Sequence, residues 1–189
     1  MKRPRPAPES SWAPLQARFS RTEILILLLL TGGFEILLSR TLPDLRRYFD
    51  LPLILVLYLA MHSTAAKGAF WGTSFGLLSD LLVGTLLGLN GLSKTLIGYL
   101  VGLLRVRAAA EGVLGRMLLL AAAAALDTVL MVAILDLLSQ PLPDSSVSFV
   151  AIRSCVAAVA GVFVFRGYDR IKFPPKDFTR NPMVEEDPF

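Results

Sequence analysis

The sequence predicts an all-α polytopic membrane protein with six transmembrane helices and both termini in the cytoplasm. Its composition is the first indication: 54% of the 189 residues are hydrophobic and the mean hydropathy is +0.60, too apolar for an ordinary soluble domain. Only helices or a closed barrel satisfy the backbone inside a bilayer. The apolar runs are long and lack the strict alternation of barrel strands, so they favour helices.

The apolar runs give the six helices and the segments that join them. The predicted helices cover residues 22–42, 51–66, 68–87, 89–104, 114–138 and 147–165. Polar residues 43–50 form the first loop, and the sequence SQPLPDSS at 139–146 is typical of a turn. Helix two has only 16 residues, which would span about 24 Å of a core of about 30 Å. It therefore either thins the bilayer or is shielded by neighbouring helices.

The two ends of the chain are polar and flank the membrane domain of residues 22–165. Residues 1–21 form a basic leader whose four prolines prevent a long helix. It either lies on the membrane surface through one apolar face or is disordered. Residues 166–189 form a tail that ends in acidic residues, and we expect most of it to be mobile. Leader and tail are both predicted to be cytoplasmic.

The distribution of Lys and Arg predicts this orientation. With six helices, fourteen of the nineteen Lys and Arg residues lie on the side of the termini, and only Arg40, Arg46 and Arg47 lie on the other side. Cytoplasmic loops carry an excess of such residues. An odd number of helices would place one basic end outside, so the pattern favours six.

Several ionisable residues fall inside the predicted helices, where an isolated charge costs at least about 2.5 to 3.5 kcal/mol. Glu35, Asp80, Lys94 and Arg153 share one layer, roughly 7 to 11 Å below the outer face. We expect Asp80 to pair with Lys94 across the turn between helices three and four.

Arg153 can reach either Asp136 or Asp127, and Asp127 is the hardest to pair and hence the best candidate for function. Three alternatives stay open: the charges neutralise one another and fix the helix register, they line a polar cavity open to the outer side, or some of them face water. The candidate residues for either role are Glu35, Asp80, Asn90, Lys94, Asp127 and Arg153.

Small residues recur in helices three and four. Glycines are spaced four apart at Gly68, Gly72 and Gly76, and again at Gly98 and Gly102. Such rows let another backbone approach closely. They either accept the transmembrane helix of a partner or pack helices three and four on each other.

The sequence excludes several classes of chemistry. One Cys and one His cannot form a zinc site or a disulfide, and no cofactor fingerprint or hydrolase motif occurs. The basic residues sit at the ends and in one loop, as membrane topology places them, so nucleic-acid binding is not indicated. We therefore predict a non-enzymatic protein without metal or cofactor.

One segment resembles a known family. Residues 76–102, GLLSDLLVGTLLGLNGLSKTLIGYLVG, resemble the signature region of MreD, an integral membrane protein of the bacterial rod-shape system. The matching positions are Gly76, Leu77, Asp80, Leu81, Gly84, Leu87, Gly88, Asn90, Leu92, Gly98, Tyr99 and Gly102. Gly91 departs from the alanine of many members.

The resemblance implies a multi-pass protein of the bacterial inner membrane that binds MreC. Through MreC it would act on a RodA-type glycosyltransferase and its class B transpeptidase. It would also contact membrane lipids, and the resemblance is compatible with a homo-oligomer. The MreD family also resembles the S components of energy-coupling-factor vitamin transporters, a six-helix fold. That likeness implies the alternative function, a subunit that binds or transports a small molecule or a lipid-linked precursor.

Overall fold

A computed structural model describes residues 20–84, 86–104, 112–140 and 146–172, and all regular secondary structure in these ranges is helical. The helices are α1 (Arg21–Thr41), α2 (Pro43–Tyr48), α3 (Leu51–Met61), α4 (Ala65–Val83), α5 (Leu89–Leu104), α6 (Val113–Leu137) and α7 (Val147–Lys172). The predicted leader, apart from its last two residues, and residues 173–189 of the predicted tail lie outside the described residues.

Three helices of the described chain are long and apolar enough to cross a membrane. They cover Thr22–Thr41, Val113–Leu137 and Val147–Arg170, and Leu89–Leu104 is a shorter apolar helix. α1, α5 and α6 occupy the predicted stretches to within one residue. α7 continues to Lys172, seven residues beyond the end expected from the apolar run. The side on which the termini lie remains a prediction.

The loop expected at residues 43–50 contains the short helix α2. Pro43 occupies its first turn, Asp44 is the acidic residue of that turn, and Arg46 and Arg47 lie in its last turn. Proline is preorganised for a helix start. An acid in the first turn and bases in the last turn interact favourably with the helix dipole. None of its residues is buried, so α2 lies on the surface of the bundle.

α3 is shorter than predicted and lies at the centre of the fold. Asp50 caps its start by accepting a hydrogen bond from the backbone N–H of Leu53 at 2.9 Å. The helix ends at Met61, where the ring Nδ1 of His62 lies 2.8 Å from the carbonyl oxygen of Tyr58, and α4 begins at Ala65. Ten of its eleven residues are buried. α3 is therefore shielded by neighbouring helices, which is one of the two alternatives predicted for this short helix.

α4 and α5 pack backbone against backbone. A Cβ atom at any of the five predicted packing glycines would meet the other helix: Gly68 faces Gly98, Gly72 faces Lys94, Gly76 faces Asn90 and Gly102 faces Ala65. The hypothetical Cβ of Gly76, for example, would lie 2.5 Å from the carbonyl oxygen of Asn90. These glycines are therefore used within the chain, the second of the two predicted alternatives. A partner helix needs another surface.

Candidate functional site

Buried polar side chains gather at the end of the bundle where α2 lies. They come from five helices and each exposes at most 7% of its surface: Glu35, Ser79, Asp80, Asn90, Ser93, Lys94, Asp127, Thr128 and Arg153. Lys94 and Asp127 expose none. Buried charges are stable only when they are paired and hydrogen-bonded. The partners of each charge therefore show whether it is structural or free to bind a ligand.

Three of these charges, Lys94, Asp127 and Arg153, form an ion quartet with the half-buried Asp50. Arg153 Nη2 lies 2.5 Å from Asp127 Oδ2 and 3.1 Å from Asp50 Oδ2. Lys94 Nζ lies 2.9 Å from Asp50 Oδ2 and 3.9 Å from Asp127 Oδ1. Each cation thus contacts both acids, and the quartet has no net charge.

Neutral groups complete the quartet. Ser93 Oγ donates to Asp127 Oδ1 at 2.5 Å, Arg153 Nη1 donates to Thr128 Oγ1 at 3.0 Å, and Lys94 Nζ donates to Asn90 Oδ1 at 2.9 Å. A buried ion pair recovers its desolvation cost only when the remaining donors and acceptors are also satisfied. The quartet meets this condition and links α5, α6 and α7 to the start of α3.

Asp50 is the member of the quartet that was not predicted as a site residue. Burial raises the pKa of its carboxyl group, but the charges of Lys94 and Arg153 outweigh burial and hold that pKa below its usual value. Its position before Leu51-Pro52 predicted only a helix start. Charge balance gave no signal for it either, because Glu35, Asp80 and Asp127 already supply more than enough acids for the two intramembrane cations.

Asp80 does not pair with Lys94 as the sequence predicted. Its carboxylate accepts hydrogen bonds from the backbone N–H groups of Gly88, Asn90 and Gly91 at 2.9, 3.1 and 3.1 Å. The first N–H groups of a helix have no partner within the helix, and an anion there is favoured by the helix dipole. Asp80 therefore caps the start of α5, and Lys94 pairs with Asp50 and Asp127 instead.

Asn90 connects Asp80 to the quartet, while Asp136 stays apart from it. Asn90 Nδ2 donates to Asp80 Oδ1 at 2.8 Å, and its Oδ1 accepts from Lys94. Of the two acids that Arg153 was predicted to reach, it bonds to Asp127, and Asp136 is exposed. The structure thus brings together five of the six predicted polar residues.

The sixth, Glu35, lies on the opposite wall and is only weakly bonded. Its Oε2 is 3.4 Å from Arg46 Nε and 3.3 Å from Ser79 Oγ, both long for charge-assisted bonds. No described residue bonds to Oε1, even though only 3% of the surface of Glu35 is exposed. Its carboxylate therefore has unused capacity to accept a hydrogen bond.

A cavity of about 480 Å³ separates Glu35 from the quartet. Its lining residues are Glu35, Arg46, Arg47, Tyr48, Phe49, Asp50, Ser79, Asn90, Met131, Phe149 and Arg153. Small-molecule sites usually measure about 300–1,000 Å³, so a ligand of modest size fits. No group of three or more His, Cys, Asp or Glu side chains in the described ranges is placed to hold a metal ion.

A second polar group ties the other halves of α3, α6 and α7 together. Asp169 Oδ1 accepts from Tyr58 Oη at 2.8 Å, and Asp169 Oδ2 accepts from Arg116 Nη1 at 2.6 Å. The Arg116 guanidinium also lies 6.0 Å from the ring centre of Phe165, within the range of a cation–π contact. The sequence did not predict this group, because Asp169 falls in the predicted tail at 166–189 and outside the predicted membrane domain.

A shallow apolar groove of about 350 Å³ lies between α5 and α6 beside α4. Its lining residues are Ala69, Leu92, Ser93, Thr95, Leu96, Tyr99, Leu130 and Ile134. Ser93 also donates a hydrogen bond to Asp127, so it links the groove to the ion quartet.

The chain was compared with known protein families, curated proteins and solved structures. The family model described as rod shape-determining protein MreD matches residues 20–168. No curated protein matches the chain, and neither does any solved structure.

Proposed function

Because the chain belongs to the MreD family of rod shape-determining membrane proteins, we propose that it is a non-enzymatic scaffold of the cell-wall elongation complex. In this proposal it lies in the bacterial inner membrane with both termini in the cytoplasm and binds MreC. Through MreC it regulates peptidoglycan synthesis by a RodA-type glycosyltransferase and its class B transpeptidase. It reacts with no substrate itself.

The observation that supports a scaffold best is the closure of the ion quartet on itself. A general base or nucleophile needs a free, activated group within reach of a substrate. Asp127, the best candidate for function from sequence, exposes no surface and contacts Ser93, Lys94 and Arg153. Its charge holds three helices in register, which is what a rigid platform requires.

Since the five glycines are used by the α4–α5 contact, a transmembrane helix of MreC would have to contact another part of the lipid-facing surface. Helices associate in lipid mainly through close van der Waals packing, because lipid tails remove the hydrophobic effect. The groove between α5 and α6 is an apolar recess on that surface, and we use it as the first position to probe.

Co-purification with MreC tests the proposal. MreC from the same host should co-purify with the tagged chain in mild detergent, and depletion of the chain should turn rods into spheres. Leu96→Trp fills the groove, and Leu29→Trp on the exposed face of α1 is the matched control. Loss of MreC with Leu96→Trp alone would locate the partner in the groove. Failure of the unmodified chain to retain MreC would refute the scaffold.

The cavity beside Glu35 favours a second candidate function, an S-component-like subunit that binds a small molecule or lipid precursor. Its size and the unbonded Glu35 oxygen support this alternative. Such a subunit should co-purify with an ATPase module, or retain a small ligand, and should not depend on MreC. Co-purification of MreC without an ATPase would therefore favour the scaffold.

A further inference from the structure

Most polar groups on the cavity wall already have protein partners. Asp50 accepts from Lys94, Arg153 and the backbone of Leu53. Arg153 is bonded to Asp50, Asp127 and Thr128, and Asn90 links Asp80 to Lys94. This half of the wall has little capacity left for a ligand.

The unused capacity lies on the opposite half, on α1 and α2. Only 3% of the Glu35 surface is exposed, and its Oε1 has no bond to any described residue. Arg46 makes a single long contact with Glu35 through Nε. Arg47 lines the cavity and has no ion-pair partner among the described residues. One acid on α1 and two arginines on α2 therefore line the cavity with bonding capacity left over.

Apolar side chains complete the cavity. Phe49, Met131 and Phe149 line it, and Phe149 also packs against Tyr48 of α2 with ring centres 5.3 Å apart. A ligand in the cavity therefore meets three surfaces: an acid, two bases and an apolar wall formed by α6 and α7.

We propose that this cavity binds a zwitterionic headgroup that carries a primary ammonium and a phosphate, as in a phosphoethanolamine lipid. The ammonium donates to Glu35 Oε1, the phosphate accepts from Arg46 and Arg47, and the lipid chains pass along Phe149 and Met131. Guanidinium groups suit phosphate because they present several donors in a fixed plane. The volume of about 480 Å³ equals that of about sixteen water molecules at about 30 Å³ each, enough for such a headgroup.

Other headgroups fit less well for electrostatic reasons. A purely anionic headgroup would place its negative charge near the buried carboxylate of Glu35 without bonding to Oε1, and like charges repel strongly where water is excluded. A quaternary ammonium carries no N–H group and cannot donate to Oε1. The proposal does not depend on MreC binding, and the two can fail separately.

Native mass spectrometry of the full chain tests this site. The protein is exchanged into detergent that contains equal amounts of phosphatidylethanolamine, phosphatidylcholine and phosphatidylglycerol, and the retained lipids are counted. We expect phosphatidylethanolamine to be retained about tenfold over each of the others, the ratio that one charge-assisted hydrogen bond supplies. Equal retention of the three lipids, or a preference for phosphatidylglycerol, would overturn the proposal.

Two variants locate the site, each with a matched control on an exposed residue. Glu35→Gln should abolish the preference for phosphatidylethanolamine, and Asp136→Asn should keep it. Arg47→Gln should lower retention of every phosphate lipid, and Arg40→Gln should not. Arg47 is exposed, so its substitution tests the site even if Glu35→Gln lowers stability. An unchanged preference in Glu35→Gln would overturn the role of the acid.

Free phosphoethanolamine distinguishes the two sources of this headgroup. Added in excess, it should displace the bound lipid if the headgroup alone is recognised, which would make a soluble zwitterion the ligand. Retention of the lipid would show that its chains contribute, and would identify the membrane as the source. Either result supports the site, provided the lipid preference is present.

Discussion

Asp127 shows how a charge can be stable where it has no contact with water. It exposes no surface, yet it lies 2.5 Å from both Arg153 Nη2 and Ser93 Oγ. Without Asp127, Lys94 and Arg153 would share the single charge of Asp50. Breaking one partner of a buried ion pair is far more costly than replacing the whole pair by apolar side chains.

Asp127→Leu should therefore lower the free energy of unfolding by about 3–5 kcal/mol, seen as a large fall in the thermal unfolding midpoint in detergent. Adding Arg153→Met should restore most of the loss, because Lys94 and Asp50 then remain as a neutral pair 2.9 Å apart. Asp136→Asn, an exposed acid on the same helix, should leave the midpoint unchanged. A double variant no more stable than the single one would contradict this account.

At the residue scale the sequence located the charges but not all of their partners. A charged residue within an apolar run is easily recognised, and this sufficed for Glu35, Lys94 and Arg153. Asp50 was missed because it precedes a helix and resembles an ordinary cap. Asp80 was assigned to Lys94 because the two flank one turn, but sequence spacing does not show that the start of α5 is buried and needs an acceptor.

Among the helices, α4 and α5 form the closest pair. Three glycines of α4 each face a backbone atom of α5, so even a single methyl group has no room. Gly72 faces the carbonyl group of Lys94, which also belongs to the ion quartet. Separation of these helices would therefore move a quartet charge as well.

Gly72→Ala should lower the free energy of unfolding by about 1–3 kcal/mol, as overpacking of a close contact does. Gly33→Ala is the control, because a Cβ at Gly33 meets nothing within 4 Å. It should be neutral or should stabilise by up to about 1 kcal/mol, since alanine is the better helix former. Thermal unfolding in detergent measures both. Equal midpoints for the two variants would contradict close packing at Gly72.

Element boundaries were predictable where turn residues mark them. α5 begins and ends at the predicted residues, 89 and 104. α3 ends five residues before the predicted end. The chain leaves the helix at residues 62–64, but Ala65 and Ala66 follow as apolar residues, so the sequence pattern does not show where the helix ends. α7 is longer than expected, because Asp169 is neutralised by Arg116 and polar residues there can continue the helix.

For the whole molecule, the proposed orientation places the cavity and α2 outside and both termini inside. This orientation depends on the uneven distribution of Lys and Arg, which the sequence shows. The cavity, in contrast, forms only where side chains from α1, α2, α4, α5, α6 and α7 come together. No local pattern contains that information.

Labelling with a membrane-impermeant maleimide tests the orientation. Cys155 is exposed, so it is first replaced by Ala. Asp44→Cys on α2 should then react in intact spheroplasts, because cytoplasmic loops carry the excess of Lys and Arg and α2 belongs to the other side. Lys67→Cys should react only after permeabilisation. The opposite pattern would invert the topology.

The burial of α3 has a consequence for how the chain is made. Eleven residues form a helix of about 16 Å, roughly half the thickness of the hydrocarbon core. A segment of this length cannot span the hydrocarbon core by itself, and ten of its residues are covered by other helices in the folded protein. We therefore expect α3 to stay in the insertion channel until α4 has been synthesised, so that the two helices enter the bilayer together as a hairpin.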